Sequence, residues 1–289
     1  MERHAAYMGC KESVRPEDLD KFEGGRWVAE IKEDGEWAVC FIGPDHPRRF
    51  YSRTGLAIPT RNGIEALANW PFPEGLELTL VGELQNHTQA ATDLYDKTGF
   101  RQYHVFDMVS LHGNDTRGLT LRDRRELLTA LWKNLGPETT RRFVLVDQWK
   151  RDFRHLFNRV EAQGGEGLIL KDTTQTYRPT NEDQKVEHWL KVKRVTTVEA
   201  IITGFAYGEK TKEIVAFTVA MYRDGVLTPI GKASLQGALR KKRDTFVLED
   251  FVGKVVEIEA FGQFTSGAMR SGFVIRLRPD KAPEECVLA

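Results

Sequence analysis

The stretch RWVAEIKEDGEWAVCFI, Arg26 to Ile42, sets the reading of the chain. Arg26 to Lys32 alternates and reads as a strand, Asp34-Gly35 forms a turn, and Trp37 to Ile42 reads as a second strand, the pattern of a hairpin. Side chains alternate along a strand, so Glu30 and Lys32 share one face and Lys32 ends the strand beside the turn. Taken alone, Lys32-Glu33-Asp34-Gly35 is a solvated turn with charged flanks. Its company elsewhere in the chain gives it another meaning.

Working outward, LELTLVGEL (76–84) and YHVFDMVSL (103–111) read as strands, and GLILK (167–171) and HWLKVKR (188–194) as short apolar-rich ones. Leucines and charges recur at helical spacing from Leu121 to Leu135, and a second helix is expected over Phe153 to Ala162. After Arg194 the texture changes to short strands: AIITGFAY, IVAFTVAMY, VLTPIGKA, KVVEIEAFG and GFVIRLR, with a helix or loop near Leu235 to Asp250. Five strands with one helical insert suit a small Greek-key barrel of the oligonucleotide-binding (OB) type.

Composition excludes several classes. The 289 residues are 40% hydrophobic and 29% charged, an ordinary globular profile with room for one large or two compact domains. No apolar run is long enough to span a bilayer, and MERHAAYMGCKESV lacks the apolar stretch of a signal peptide. Cys10, Cys40 and Cys286 are scattered and the seven histidines show no ligand spacing, so neither a disulfide framework nor structural zinc is expected. An intracellular, reducing compartment is the simple reading. Net charge is zero. Local basic clusters at Arg48-Arg49, Arg122 with Arg124-Arg125, Arg141-Arg142, Lys191 to Arg194 and Lys241-Lys242-Arg243 are either phosphate-binding faces or solvated helix ends and loops.

The residues with chemical content form an inventory for nucleotidyl transfer. Lysine can bond phosphorus through nitrogen once it loses its proton, which burial or nearby cations favour. Lys191 and Lys193 share one face of their strand, where they can clamp a phosphate and disfavour charge on Lys32. Glu83 and Glu166 can hold a sugar and a divalent metal, and Phe106 offers a flat face for a base. Each has a plainer reading: Phe106 and Trp189 as core, Glu83 and Glu166 as turn carboxylates, Lys193-Arg194 as a strand end, Asp280-Lys281 as a tail turn.

In this order, KEDGEW, SRTG (Ser52 to Gly55), VGEL, HVFDMV, EGLILK, WLKVKR and RLRPDK (Arg276 to Lys281) resemble the motifs of the covalent nucleotidyltransferase superfamily, and more closely of its ATP-dependent DNA ligases in a minimal two-domain form. The resemblance spans Glu30 to Lys281. It implies an α+β fold: a nucleotidyltransferase (ATP-grasp-like ligase) catalytic domain of antiparallel sheets with flanking helices, residues 1–195, followed by a C-terminal OB-fold β-barrel, residues 196–289. It implies that Lys32 is adenylylated, Glu30 receives the adenine amino group, Glu83 binds the ribose, and Phe106 stacks on the base. Glu166, with Glu83, would bind metal; Lys191 and Lys193 would contact the α-phosphate, and Arg53 the 5′-phosphate at a nick. Arg278, Asp280 and Lys281 would orient the departing pyrophosphate as the barrel closes over ATP. The implied cofactors are ATP and Mg2+, with Mn2+ able to substitute.

The implied partner is nicked duplex DNA, sealed through a lysyl-AMP and a DNA-adenylate in replication, repair or recombination. A monomer is expected, with no membrane and no obligatory protein partner, in the cytoplasm of a bacterial or virus-infected cell. No separate DNA-binding domain or long barrel insert is expected, hence modest, salt-sensitive DNA affinity. The chain departs from the family at Trp37, where an arginine ends the nucleophile motif. The expectation is that Trp37 packs or stacks on a sugar, leaving more of the phosphate contact to Arg53. The rival readings are an mRNA-capping guanylyltransferase, an RNA ligase, and a catalytically silent nucleic-acid-binding OB-fold protein.

Overall fold

The computed structural model describes residues 7–10, 13–43, 48–85, 89–180, 186–193, 196–260, 269 and 272–288. Arg194, at the end of WLKVKR, and Phe261-Gly262, at the end of KVVEIEAFG, lie outside them. The chain divides into two compact units, residues 1–193 and 194–289.

The strands of the first unit are β1 (Ser13–Val14), β2 (Trp27–Ile31), β3 (Glu36–Ile42), β4 (Arg49–Ser52), β5 (Leu78–Leu84), β6 (Tyr103–Leu111), β7 (Asn114–Asp115), β8 (Phe143–Leu145), β9 (Gly167–Asp172) and β10 (Trp189–Lys193). Its helices are α1 (Ile64–Ala68), α2 (Gln89–Thr98), α3 (Leu121–Lys133), α4 (Pro137–Arg142) and α5 (Phe153–Ala162). One sheet runs β1-β10-β9-β2; the other runs β4-β3-β5-β6-β7, with β8 beside β6. Pairing is antiparallel except β1 on β10 and β8 on β6.

The hairpin expectation for Arg26 to Ile42 is corrected. β2 pairs with β9, while β3 pairs with β4 and β5, so residues 32–35 carry the chain from one sheet to the other. The turn does not stand free in solvent: a Cβ on Gly35 would meet the Leu84 carbonyl oxygen at 2.5 Å, so glycine lets the segment lie against β5.

Alternation then sorts the side chains. Ala29, Leu168, Leu170, Leu190 and Val192 enter a core against α5, whose Phe153, Leu156, Phe157 and Val160 form one buried stripe. Glu30, Lys171 and Lys191 belong to the opposite face. In the second sheet, Ala38, Cys40, Leu80 and Val105 pack into a core with Leu128 and Trp132 of α3. That helix starts at a capping box of Thr120 and Asp123. A smaller cluster draws Val39, Val81 and Val109 together with Trp189 and Met8.

The basic clusters are partly internal. Arg124 is 1% exposed and forks onto Asp107 at 2.7 and 2.8 Å, tying α3 to β6, so it adds nothing to a surface patch. Arg48 is likewise buried, donating to the Ala68 and Trp70 carbonyls and lying over Phe72.

The second unit comprises β11 (Thr196–Tyr207), β12 (Ile214–Arg223), β13 (Val226–Ser234), β14 (Val255–Ala260) and β15 (Gly272–Leu277), closed in the order β11-β12-β13-β15-β14. α6 (Gly237–Lys242) and two 3-10 turns fill the connection where a helix or loop is expected. Its core is Ala200, Phe217, Val219, Val256 and Ile258 with their neighbours. This is a five-stranded barrel of the OB type. Among the described residues no helix is long and apolar enough to cross a membrane.

Candidate active site

Lys32 follows β2 directly, and its backbone N–H donates to the Gly167 carbonyl at 2.9 Å. Gly167 has φ of +129°, and a Cβ there would fall 2.0 Å from the Val192 carbonyl oxygen, so only glycine fits between β9 and β10. The residue before it, Glu166, accepts a hydrogen bond from Lys32 Nζ. Glu33 turns toward the other sheet: Gln85 Nε2 donates to it at 3.1 Å, and His104 Nδ1 lies 3.1 Å from its other oxygen. The nucleophile candidate is thus anchored on both sides.

A cavity of about 240 Å³ is lined by Glu30, Lys32, Arg53, Glu83, Phe106 and Lys191, together with Trp37, Lys171, Trp189 and the segment Tyr7 to Cys10. The structure therefore brings six of the expected site residues to one cavity, with Glu166 bonded to Lys32. Lys193 is half-buried on the same strand but does not line the cavity. Arg278, Asp280 and Lys281 belong to the barrel unit and are paired within it: Arg278 with Asp280 at 2.8 Å, Lys281 with Glu199 at 3.2 Å and with Glu285 at 3.1 Å.

Glu30 is 2% exposed and doubly engaged. Gln148 Nε2 donates to its Oε1 at 2.8 Å, and Lys171 Nζ lies 2.6 Å from its Oε2. Lys171, itself buried, also places its ammonium 4.4 Å from the Phe106 ring centroid and 3.9 Å from that of Trp189. One approach to Phe106 is therefore filled by a cation, and Trp189 packs edge-on against it at 5.8 Å. Lys171, Gln148 and the Tyr7 to Cys10 segment were not singled out from sequence. Only a pairing signal was available for Lys171: β2 and β9 place it diagonally from Glu30.

Glu83 stands opposite Trp37 across β5 and β3. Burial pushes its carboxyl up to about 7; Glu166, Asp34 and Glu33 add to this, and Lys32 opposes it. Trp37 packs edge-on against Tyr7 at 5.3 Å, and its buried indole nitrogen has no hydrogen-bond partner among the described residues. It also borders, with Arg53, a second cavity of about 660 Å³ along Ser52 to Pro59. So Trp37 is packed, as expected, and with Arg53 and Glu83 it borders both spaces.

Among the described residues no three or more His, Cys, Asp and Glu side chains are placed to hold a metal. Magnesium is usually held by one or two carboxylates plus substrate phosphates. Glu83 and Glu166, the first with its carboxyl raised in part by the second and the second bonded to Lys32, are a donor set of that kind.

The model of the ATP dependent DNA ligase domain matches residues 10–193. The multifunctional non-homologous end joining protein LigD of Mycolicibacterium smegmatis is 24% identical over 97% of this chain, which spans 41% of that protein. A DNA ligase of Methanosphaerula palustris is 28% identical over 63% of this chain and 35% of its own length. The solved structure of a Lig E DNA ligase, at 19% identity, superposes with a TM-score of 0.65 over 94% of this chain and 98% of that one, a likeness of fold. With the motif order, the lysine-centred cavity and a family model covering most of the chain all in agreement, the protein belongs to the ATP-dependent DNA ligase domain family.

Proposed function

We propose that the protein seals nicks in duplex DNA by way of a lysyl-AMP on Lys32. The observation that carries this is the placement of Lys32 in one cavity with Glu30, Glu83, Phe106 and Lys191, its ammonium on Glu166. In the first step Lys32 Nζ bonds to the α-phosphorus of ATP. The bond from that phosphorus to the bridging oxygen breaks, and the electron pair leaves with pyrophosphate. Glu166, already accepting the hydrogen bond from Lys32, is placed to take the proton that the amine must lose.

Glu30 receives the adenine amino group while Lys171 and Gln148 hold its carboxylate in place, and Phe106 covers the base. Glu83 binds the ribose, Lys191 and Lys193 the α-phosphate. Arg278, Asp280 and Lys281 act on the departing pyrophosphate. Glu166 and Glu83 would hold magnesium, which would neutralise charge on the phosphate oxygens; Mn2+ has the same ligand preference. AMP then passes to a 5′-phosphate at the nick, which Arg53 contacts, and the 3′-hydroxyl displaces it to join the backbone. DNA affinity through phosphate contacts falls steeply with salt.

The test is incubation with magnesium and α-labelled ATP or GTP. Acid-labile label from ATP, absent in Lys32→Ala, supports the proposal; label from GTP favours a capping enzyme, and no label a silent binder. Nicked DNA against nicked RNA separates the two ligase types. Nick binding indifferent to ionic strength contradicts the phosphate-contact reading.

A further inference from the structure

Arg124 turns inward, but its neighbours on α3 do not. Arg122, Arg125, Thr129 and Lys133 recur at helical spacing and line one side of a groove of about 950 Å³. The rest of the lining comes mainly from the start of β2 and from the segment after β8, which adds Lys150. Glu126 and Asp147 are the acids of the groove, leaving four cations against two carboxylates. The groove shares no lining residue with the Lys32 cavity.

Many cations of the catalytic unit are paired: Arg117 with Asp115 at 2.6 Å, Arg142 with Glu138 at 2.7 Å, Arg154 with Asp20 at 2.9 Å. Among the described residues, Arg122, Arg125, Lys133 and Lys150 have no ion-pair partner. Arg125 is half-buried. Its Nη2 donates to the Val146 carbonyl, while its buried Nη1 has no hydrogen-bond partner among the described residues. Burial pulls its guanidinium below the ordinary arginine value, against the opposing charges of Glu30, Asp147 and Asp107. Its positive charge is thus incompletely met within the chain. Walls of low dielectric focus the field of unpaired charges into a groove, so an anion is drawn there more strongly than to the same cations on a flat face.

The length of the groove points to an extended anion. From Arg122 to Lys133 the helix wall runs about 16 Å, at a rise of about 1.5 Å per residue. A single phosphate meets one end of that wall. One strand of a DNA duplex carries a phosphate about every 3.4 Å of its axis and meets the whole of it. We propose that the groove between α3, β2 and the segment after β8 holds the phosphate backbone of duplex DNA, independently of sequence and of any nick. The contact goes beyond the lysyl-AMP reading and does not depend on it. It extends the grip on DNA away from the site of chemistry, through backbone charge alone.

The experiment is binding of an intact, unnicked duplex by the full chain, without ATP, from about 50 to about 200 mM salt. Each phosphate-contacting cation removed should make the plot of log affinity against log salt shallower by about 0.9. The double variant Arg122→Ala with Lys133→Ala should therefore lose about tenfold less affinity than the wild type over that range. Both residues are exposed, so its Tm should barely move. Lys150→Ala, outside the helix, should show about half that change in slope, and Lys97→Ala, on α2, none. A wild type that does not bind the intact duplex, an unchanged slope in the groove variants, or an equal change in Lys97→Ala each overturns the proposal. So does displacement of the DNA by tripolyphosphate or by polyglutamate at a lower concentration of charge than by a second intact duplex, which assigns the groove to a free oligophosphate or to an acidic protein. No step on Lys32 enters the measurement. A wild type that binds DNA in this way but takes no label from ATP sinks the lysyl-AMP reading alone.

Discussion

Carboxylates crowd in two parts of this molecule, and the crowding is resolved in opposite ways. In the catalytic unit, Glu83 is buried beside Lys32 and three other carboxylates, and its carboxyl is pushed up to about 7. In the barrel, Asp280 accepts hydrogen bonds from Arg278 and is pulled down to about 2. Arg278 reaches Asp280, Glu199 and Glu257, and Lys281 reaches Glu199 and Glu285. In the Lys32 pocket burial outweighs the neighbouring cation, so the Glu83 carboxyl rises although Lys32 lies beside it. The difference lies in burial: an exposed carboxyl beside a guanidinium is held charged, while a buried one among like charges is pushed toward its neutral form.

Four experiments press on that contrast, from the largest effect to the smallest. Lys32→Ala removes both the nucleophile and the cation beside Glu83, and labelling by ATP should vanish, a fall of at least about a thousandfold. Detectable label would break the comparison outright. Lys281→Ala should slow labelling about 10- to 100-fold while sparing sealing of a pre-adenylylated nick; equal loss of both refutes a role confined to pyrophosphate.

Glu83→Gln sharpens the contrast through stability without nucleotide. The Glu83 carboxyl sits higher in the folded chain, about 7, than its ordinary 4.5, so its contribution is fully present below pH 4.5 and is lost as pH rises through 7. Thermal melts should show Glu83→Gln level with the wild type at pH 4 and more stable at pH 8. The same Tm difference at both pH values would exclude a buried, charge-crowded carboxyl. Asp280→Asn should have the smallest effect. A depressed carboxyl contributes above its ordinary value and loses that contribution as pH falls through about 2, so any Tm difference should be level from pH 5 to 8 and shrink only in acid.

Much of the fold was legible because alternation is local. β2, β3, β6, β9, β10 and α5 fall where apolar spacing puts them. The hairpin reading of Arg26 to Ile42 failed because Asp34-Gly35 signals a turn but not which strand receives the next one; partners β9 and β5 are far away in sequence. α2, with no buried stripe to announce it, was not foreseen. In the site, the motif resemblance pointed to Glu30, Lys32, Glu83, Phe106 and Lys191, which line one cavity. Lys171 escaped because nothing local marks a lysine as buried; its place depends on Glu30 across the register and on two aromatic rings. Arg124 looked like surface charge for the converse reason, its partner Asp107 lying inside β6.

The passage of residues 32–35 between the sheets has a mechanical consequence. The backbone of Lys32 is fastened to Gly167 in one sheet, and the side chain of Glu33 to Gln85 in the other. Any widening of the gap between the layers must be taken up in those few bonds, so the Lys32 amine rides on the tether that spans the gap. Under the proposed lysyl-AMP chemistry, its reach toward phosphorus becomes a gauge of how far the walls have drawn apart, and slack introduced beside Glu33 would blunt that gauge while leaving every acid and base in its place.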